Sequence, residues 1–310
     1  MDSNLAALED SGQSMRPHTS FGLVLAGGGA RGMAHVGALR ALNHLGYFPS
    51  VIAGVSMGAL IAATYSLNPN WYRDLVAMDV SGFPVVPDLK ARGVLKKLKN
   101  YAIAGRELRA LTFGWGAGED TVDWGRSVIK QLTLGKALEA GHVRTNITAT
   151  DILTGERIVK STGDAVDAVY ASSALAGILP PLKDGPHLLI DGGYSDSAPV
   201  DLVRRCGVDR VLVIDPGQRQ NTAAPRNGLE VLFRSIEVTH NAFSKSRNEA
   251  ADLVLKPDYG LSVGVMDFKH KRRCIAAGVR TVRLAAPQLE SLLGPAGQPR
   301  QAVSAKYAKD

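Results

Sequence analysis

The stretch FGLVLAGGGARGMAHVGALRALNHLG, residues 21–46, decides the fold. A short apolar run stops at three glycines, and the apolar residues that follow have the spacing of one face of a helix. This order predicts a buried strand, a glycine loop and a helix. Residues 51–67, VIAGVSMGALIAATYSL, predict a second strand and a second helix. Two successive units of this kind predict a parallel sheet with right-handed crossovers, in which ligands bind at the carboxyl ends of the strands.

The rest of the sequence predicts further elements of the same sheet. NITATDI and ERIVKST flank residues 153–155 and predict a hairpin, while HLLIDGG, VDRVLVIDP and ADLVLKP predict three more strands. Helices are expected over residues 228–247 and near the C-terminus. The pattern is weakest between residues 69 and 141, where we place the most variable helices and any lid. Residues 51–67 are uncharged, but their glycines and serines favour a buried strand and helix over a membrane span.

The glycine loop GGGARG, residues 27–32, matches GxGxxG between a strand and a helix. A dinucleotide site would also need an acidic residue about 20 positions further on, yet no Asp or Glu occurs between Asp10 and Asp74. A phosphate-binding GxxxxGK[ST] loop is also absent from the sequence. Backbone amides at a helix N-terminus favour negative charge, so this loop can hold an oxyanion. A tight turn without a ligand is the alternative.

Ser56, in GVSMG, follows the second strand as the glycine loop follows the first. A nucleophile elbow needs small residues on both sides of a strained serine, and Gly54 and Gly58 provide them. If the two strands are adjacent, the loop amides face the Ser56 hydroxyl, which is the arrangement that acyl transfer requires. The pentapeptide is also common in turns, so a structural role stays open.

A base for Ser56 is the next requirement. The sequence contains seven histidines, and none of them has surroundings that mark it as a catalytic partner. Asp191 is the better candidate, because the apolar strand of HLLIDGG delivers its carboxylate into a glycine turn. An ordinary Asp-Gly turn is the alternative interpretation.

Taken together, these motifs resemble the bacterial patatin-like phospholipase family. The matching stretches are GGGARGMAHVGAL, GVSMGAL, TATDILTGE followed by ASSALAGILPPL, DGGYSDSAPV, and DFKHKRRCIAAG in the final helix. The resemblance covers residues 21–290 and implies one catalytic domain with a three-layer α/β/α fold, a modified form of the α/β-hydrolase fold with a mainly parallel central sheet. We expect a flexible N-terminal segment at residues 1–20 and a disordered tail at residues 291–310.

The resemblance also implies the site. It assigns Ser56 as the nucleophile and Asp191 as the proton acceptor of a dyad. The oxyanion hole is then formed by amides of the glycine loop: Gly27, Gly28, Gly29 and Arg31. No metal and no cofactor is expected. The chain has DGG where many relatives have DGA, and residues 76–138, which match least well, would set substrate preference.

The expected function is hydrolysis of lipid carboxylic esters through an acyl-enzyme, as in a phospholipase A, lysophospholipase or esterase. Two alternatives stay open. One is an ordinary hydrolase triad of Ser56, then Asp191 or Asp215, then His240 or His270. The other is a catalytically silent lipid-binding or regulatory protein of the same fold. Acyl-chain length, head group, positional preference and oligomeric state are not predicted.

Charge and cysteines restrict the partners. Lys and Arg number 36 against 29 Asp and Glu, and a basic stretch, GVLKKLKNYAIAGREL at residues 93–108, is either a solvated helix face or a lid that contacts anionic membrane. No nucleic-acid motif accompanies this charge. Cys206 and Cys274 lack the spacing of a disulfide framework or a zinc site. Residues 1–20 lack a secretory signal pattern, so we expect a cytoplasmic protein, peripheral at the inner membrane face.

Overall fold

The computed structural model describes residues 19–81, 119–217, 224–225 and 228–295. In this part of the chain eight strands form one sheet. The strands are β1 (Phe21–Leu25), β2 (Val51–Gly54), β3 (Arg144–Asp151), β4 (Arg157–Lys160), β5 (Leu182–Asp184), β6 (His187–Asp191), β7 (Arg210–Ile214) and β8 (Leu253–Leu255). Five of them pair in parallel in the order β3-β2-β1-β7-β8, while β4 and β6 pair antiparallel with β3, and β5 antiparallel with β6. The predicted mainly parallel sheet is confirmed.

Nine helices accompany the sheet in the described residues. They are α1 (Ala34–His44), α2 (Met57–Leu67), α3 (Trp71–Ala77), α4 (Glu119–Thr133), α5 (Ala165–Ser173), α6 (Val200–Arg204), α7 (Gly228–Asn248), α8 (Lys271–Leu284) and α9 (Ala286–Leu293). Residues 51–67 form β2 and α2, as expected. Within the described ranges, none of the helices combines the length and apolarity needed to cross a bilayer.

Both faces of the sheet are covered, because the strands alternate apolar side chains between two cores. Leu23 and Leu25 point into the larger core, which α1, α2, α5 and α8 help to build. Val24 and Val213 point to the other face and pack with Val203 of α6. Helices therefore lie on both sides of the sheet, which confirms the three-layer α/β/α fold.

The length of β3 places two strand ends against each other. Gly54 of β2 pairs with Ile147, and Asp191 of β6 pairs with Ala149, two residues further along β3. Residues of β4 pair with both Ile147 and Ala149. A strand has two hydrogen-bonding edges, so β4 occupies one and β2 and β6 share the other end to end. Position 56, two residues after Gly54, is thus level with position 191.

Several boundaries differ from the predicted ones or lie outside the described residues. The hairpin at residues 153–155 and the strands β6, β7 and β8 are confirmed. α9 extends to Leu293, into the predicted tail, because Leu289 and Leu293 pack into the core. The remaining tail, nearly all of the N-terminal segment and the basic stretch at residues 93–108 lie outside the described part of the chain, so those expectations stay predictions.

Two glycines allow α1 and α8 to pack closely. A Cβ atom at Gly37 of α1 would lie 1.9 Å from the carbonyl oxygen of Ile275, and one at Gly278 of α8 would lie 1.9 Å from that of Ala34. Both obstacles are helix backbone, so a side chain at either position would force the helices apart. This contact holds α8 on the core beside the glycine loop.

We expect Gly278→Ala to lower the free energy of unfolding by about 1–3 kcal/mol, since the extra methyl group overpacks a rigid helix contact. Chemical denaturation of the variant and the wild type measures this difference. Gly125→Ala is the matched control, because Gly125 lies in α4 and a Cβ there meets no described heavy atom within 4 Å. That control should be neutral or stabilising by up to about 1 kcal/mol. Equal effects of the two changes would contradict the close contact.

Candidate active site

Ser56 lies in a strained turn between β2 and α2. Its φ of 55° and ψ of −123° belong to a region that side-chain-bearing residues rarely adopt. The flanking glycines explain how the turn fits: a Cβ at Gly54 would lie 2.4 Å from the carbonyl oxygen of Gly58, and one at Gly58 would lie 2.1 Å from that of Leu25. The Ser56 N–H donates to Ser172 Oγ at 2.9 Å. The predicted elbow geometry is therefore present.

Asp191 ends β6 at the level of Ser56, and the two side chains are hydrogen-bonded. The carboxylate also accepts the N–H of Gly193 at 2.8 Å, and the residue is only 4% exposed. Loss of solvation raises the pKa of Asp191 to about 6, against the opposing effect of the two hydrogen bonds. Gly192 is required in DGG because a Cβ there would lie 2.2 Å from the carbonyl oxygen of Thr148.

The glycine loop lies beside Ser56, but only some of its amides are free. The N–H of Gly27 donates to the Ser197 carbonyl at 3.3 Å, and the N–H of Arg31 donates to the Gly28 carbonyl at 3.2 Å. The amides of Gly28 and Gly29 have no hydrogen-bond acceptor among the described residues. Gly29 has a φ of 54°, and a Cβ there would lie 2.3 Å from the Val265 carbonyl oxygen. Of the four amides predicted to form an oxyanion hole, only those of Gly28 and Gly29 therefore lack an acceptor in the described part of the chain.

The Arg31 side chain is buried and forms an ion pair with Glu237 of α7 at 2.5 Å. Its amide is used within the turn, so Arg31 contributes to the site as a buried cation on the α7 side. The spacing of the sequence motif does not reveal this partner, which lies 206 positions further along the chain.

The histidines of the alternative triad are placed differently. His270 lies within 3.5 Å of Asp267, and it is not among the residues that line the cavity over Ser56. His240 does line that cavity, although its Nε2 atom has no hydrogen-bond partner within the described ranges. Asp215 accepts from the N–H of Gly217 and from the Asn248 amide, each at 2.9 Å. The described contacts of Ser56 therefore include Asp191 and no histidine.

A cavity of about 180 Å³ opens over these groups, between two unlike walls. The first wall carries apolar side chains of α2, α4, α5 and the segment after α5: Met57, Leu60, Val128, Ile129, Val169, Leu175, Ile178 and Leu179. The second comes from α7 and is mainly polar, with Glu237, His240, Asn241 and Ser244. We call this second side the α7 wall. The described residues contain no cluster of three or more His, Cys, Asp or Glu side chains suited to a metal ion.

This arrangement suits acyl transfer. A hydroxyl on a strained turn is hydrogen-bonded to a desolvated carboxylate. Two amides of the neighbouring loop have no acceptor in the described part of the chain. A nucleophile, a base and oxyanion donors are the kinds of group that this reaction needs.

Comparisons with known proteins agree with the motifs. A family model described as patatin-like phospholipase matches residues 23–204. The chain is 35% identical over 206 residues to a patatin-like phospholipase domain-containing protein of Caenorhabditis elegans, a match that covers 66% of this chain and 14% of that protein. It is 28% identical over 256 residues to lysophospholipase NTE1 of Saccharomyces cerevisiae, covering 80% of this chain and 14% of the yeast protein. The chain therefore spans a small part of these relatives.

Among solved structures, VipD from Legionella pneumophila aligns over 88% of this chain and 67% of that chain, with 13% identity and a TM-score of 0.47. Both relatives are eukaryotic proteins, so they support the patatin-like phospholipase family but not the expected restriction to its bacterial members.

Burial of Asp191 has a consequence for stability that can be measured. Its pKa is about 6 in the folded protein and 3.8 in an unfolded chain, so the folded state binds the proton more tightly. The resulting stabilisation is complete below pH 3.8 and is lost as the pH rises through 6. We expect Asp191→Asn to raise the free energy of unfolding at pH 8 by on the order of 2–3 kcal/mol, and by much less at pH 4. Denaturation at both pH values tests this.

Asp201→Asn is the control with the opposite sign. The hydrogen bond from Arg157 lowers the pKa of Asp201 to about 2, so its stabilising effect is present above pH 3.8 and lost as the pH falls towards 2. This variant should be less stable than the wild type at pH 8. An Asp191→Asn protein no more stable than the wild type at pH 8 would contradict the burial argument.

Proposed function

The chain belongs to the patatin-like phospholipase family, and on that premise we propose that it hydrolyses carboxylic esters of lipids through an acyl-enzyme on Ser56. The observation that carries the proposal is the hydrogen bond between the Ser56 hydroxyl and the buried Asp191 carboxylate. The yeast relative is named a lysophospholipase, and we extend lipid ester hydrolysis to this chain as part of the proposal.

In the first step Ser56 Oγ attacks the ester carbonyl carbon while its proton passes to Asp191. A pKa of about 6 leaves the carboxylate mainly ionised near neutral pH and makes it a stronger base than an exposed aspartate. The base and the nucleophile need no histidine between them, because the carboxylate already accepts the hydroxyl proton.

The negative charge that develops on the carbonyl oxygen is held by the amides of Gly28 and Gly29. A donor in such a position contributes about 2.7–4 kcal/mol to stabilising the transition state. The short helical turn Gly29–Met33 and α1 follow directly, so their aligned peptide dipoles favour the same charge. We assign the amides of Gly27 and Arg31 to shaping this loop.

Collapse of the tetrahedral intermediate breaks the ester C–O bond, and Asp191 returns the proton to the leaving alkoxide. The acyl group then remains on Ser56, with its chain against the apolar wall of the cavity. Asp191 next takes a proton from water as the water oxygen attacks the acyl carbonyl. Release of the fatty acid returns the proton to Ser56 and restores the starting site.

Asp191→Asn and His240→Ala, each compared with Ser56→Ala, separate the dyad from the triad that ends in His240. Asp191→Asn should lower kcat/KM for a short-chain nitrophenyl ester by about 10² to 10⁴, because the base is lost while the turn to Gly193 is kept. A triad would instead make His240→Ala as damaging as Ser56→Ala. Steady-state kinetics of the three variants measure these changes in kcat/KM, and full activity of Asp191→Asn would contradict the dyad.

Labelling with a fluorophosphonate distinguishes the enzyme from a silent lipid-binding protein. The wild type should be labelled and Ser56→Ala should not. A folded wild type that does not react would favour the binding protein.

We also propose that residues 93–108 bring the protein to an anionic membrane surface from the cytoplasmic side. The support is the basic sequence itself, with Lys96, Lys97 and Lys99 next to apolar residues. Each lysine near an anionic surface contributes about 1 kcal/mol to binding.

Replacement of these three lysines by Glu should reduce partitioning to phosphatidylserine-containing vesicles by at least about tenfold. Sedimentation with vesicles measures the bound fraction, and vesicles of phosphatidylcholine alone are the control. Unchanged partitioning would contradict the proposed contact.

A further inference from the structure

His35 is a fully buried histidine in the first turn of α1. Its Nε2 atom lies 2.8 Å from the carbonyl oxygen of Ala26, the residue that joins β1 to the glycine loop. The side chain therefore connects the two ends of that loop, with the strand on one side and the helix on the other. His35 is not among the residues that line the cavity, so it can affect the reaction only through the backbone that it holds.

The imidazole of His35 acts here as a hydrogen-bond donor. Burial lowers its pKa to about 4, so the ring is neutral near pH 7 and carries one proton. A carbonyl oxygen only accepts hydrogen bonds, which places this proton on Nε2. The other ring nitrogen, Nδ1, is buried and has no partner among the described residues. An unpaired buried group is costly, and an apolar side chain would fill the same space without that cost. The bond to Ala26 therefore calls for a role beyond packing.

The bond from His35 fixes a peptide group that a second bond fixes from the other side. The carbonyl of Ala26 and the N–H of Gly27 belong to one planar peptide group. The carbonyl accepts the hydrogen bond from His35, while the N–H donates to the Ser197 carbonyl at 3.3 Å. Rotation of this group would break both bonds. The Ala26–Gly27 peptide is therefore held at both of its polar atoms, and Ser197 ties it to the segment that follows Asp191.

The two proposed oxyanion donors come next along the chain, and they are held unequally. The Gly29 N–H shares a peptide group with the Gly28 carbonyl, which accepts the N–H of Arg31 at 3.2 Å. The Gly28 N–H shares a peptide group with the Gly27 carbonyl, and neither atom has a hydrogen-bond partner among the described residues. Glycine restricts backbone rotation least of all residues. The orientation of this second group therefore depends on the Ala26–Gly27 peptide before it.

We propose that His35 is a positioning residue for the oxyanion hole: by holding the Ala26–Gly27 peptide, it orients the N–H of Gly28 towards the oxygen on which charge develops. This rests on the proposed function and adds to it a residue outside the cavity. A misplaced donor weakens binding of the transition state while the ester still binds, so the loss falls on kcat and leaves KM nearly unchanged. Because the effect depends on the hydrogen bond, another side chain with an N–H in reach of the Ala26 carbonyl can replace the imidazole.

The test compares His35→Leu, which removes the donor, with His35→Gln, whose side-chain amide can donate to the same carbonyl. We expect His35→Leu to lower kcat for a short-chain nitrophenyl ester by about 10- to 100-fold, less than outright loss of a donor, with KM within about twofold. His35→Gln should recover most of the loss. His142→Leu is the matched control, because Nδ1 of His142 lies 2.8 Å from the Ser66 carbonyl and neither residue lines the cavity. The control removes the same kind of bond and should leave kcat unchanged.

Hydrogen exchange provides a readout that does not depend on catalysis. The Gly27 N–H is protected by its bond to the Ser197 carbonyl, and loss of the His35 bond frees the peptide group to rotate. We expect this N–H to exchange at least about tenfold faster in His35→Leu than in the wild type, and at the wild-type rate in His142→Leu. NMR of protein labelled at glycine measures the exchange, and chemical denaturation shows that each variant is folded. If His35→Leu does not fold, His35→Met makes the same comparison.

An unchanged kcat in folded His35→Leu, or an equal loss of kcat in His142→Leu, overturns the proposal. A loss that His35→Gln does not recover, or one that falls on KM alone, overturns it as well. If the wild type hydrolyses no ester, the proposed function fails. Faster exchange of the Gly27 N–H in His35→Leu, but not in His142→Leu, would then still show that His35 holds the loop.

Discussion

The hydrogen bond between Ser56 and Asp191 is the constraint on which the rest of the site depends. It can form only if two strands that arrive from opposite directions stop at the same level, and the length of β3 ensures this by carrying β2 and β6 along one edge. The chain must then turn away at once on both sides. After β2 the turn is made by Ser56 in a strained backbone conformation. After β6 it is made by Gly192, which packs against the Thr148 carbonyl. The glycines of both motifs thus have a steric role in the chemistry.

Burial has two opposing effects at Asp191. It raises the pKa towards the range of a useful base, and it leaves a charge in the interior that weakens the folded state at neutral pH. The segment after Asp191 is held by an ion-pair network, in which Arg157 bridges buried Asp196 and partly exposed Asp201. The Ser197 carbonyl, in the same segment, accepts a hydrogen bond from the Gly27 N–H, so one loop supports both Asp191 and the glycine loop.

Local signals in the sequence predict much of this site, and long-range ones do not. The strand-loop-helix units and the Asp191 turn follow from apolar runs that stop at glycines, because those patterns are contained within a few residues. Two other features depend on partners far along the chain, which no local pattern identifies. The Gly27 N–H is occupied by the Ser197 carbonyl, and Arg31 forms an ion pair with Glu237. The polar residues of the α7 wall can be read from the sequence, but the sequence does not show that this face of the helix borders the cavity. β5 was not predicted because two of its three residues, Lys183 and Asp184, are charged, whereas the equally short β8 is wholly apolar.

The shared edge of β3 also bears on how such a protein can change over evolutionary time. Ser56 and Asp191 are aligned by strand register, and the described residues between α2 and β3, 68–81 and 119–143, contribute no strand to that register. Insertions or exchanges in this intervening stretch can therefore reshape the apolar wall, to which α4 contributes, without moving the reacting atoms. The fold thus separates the register that aligns Ser56 with Asp191 from a stretch that can be exchanged, and changes in that stretch can alter the surface offered to an acyl chain.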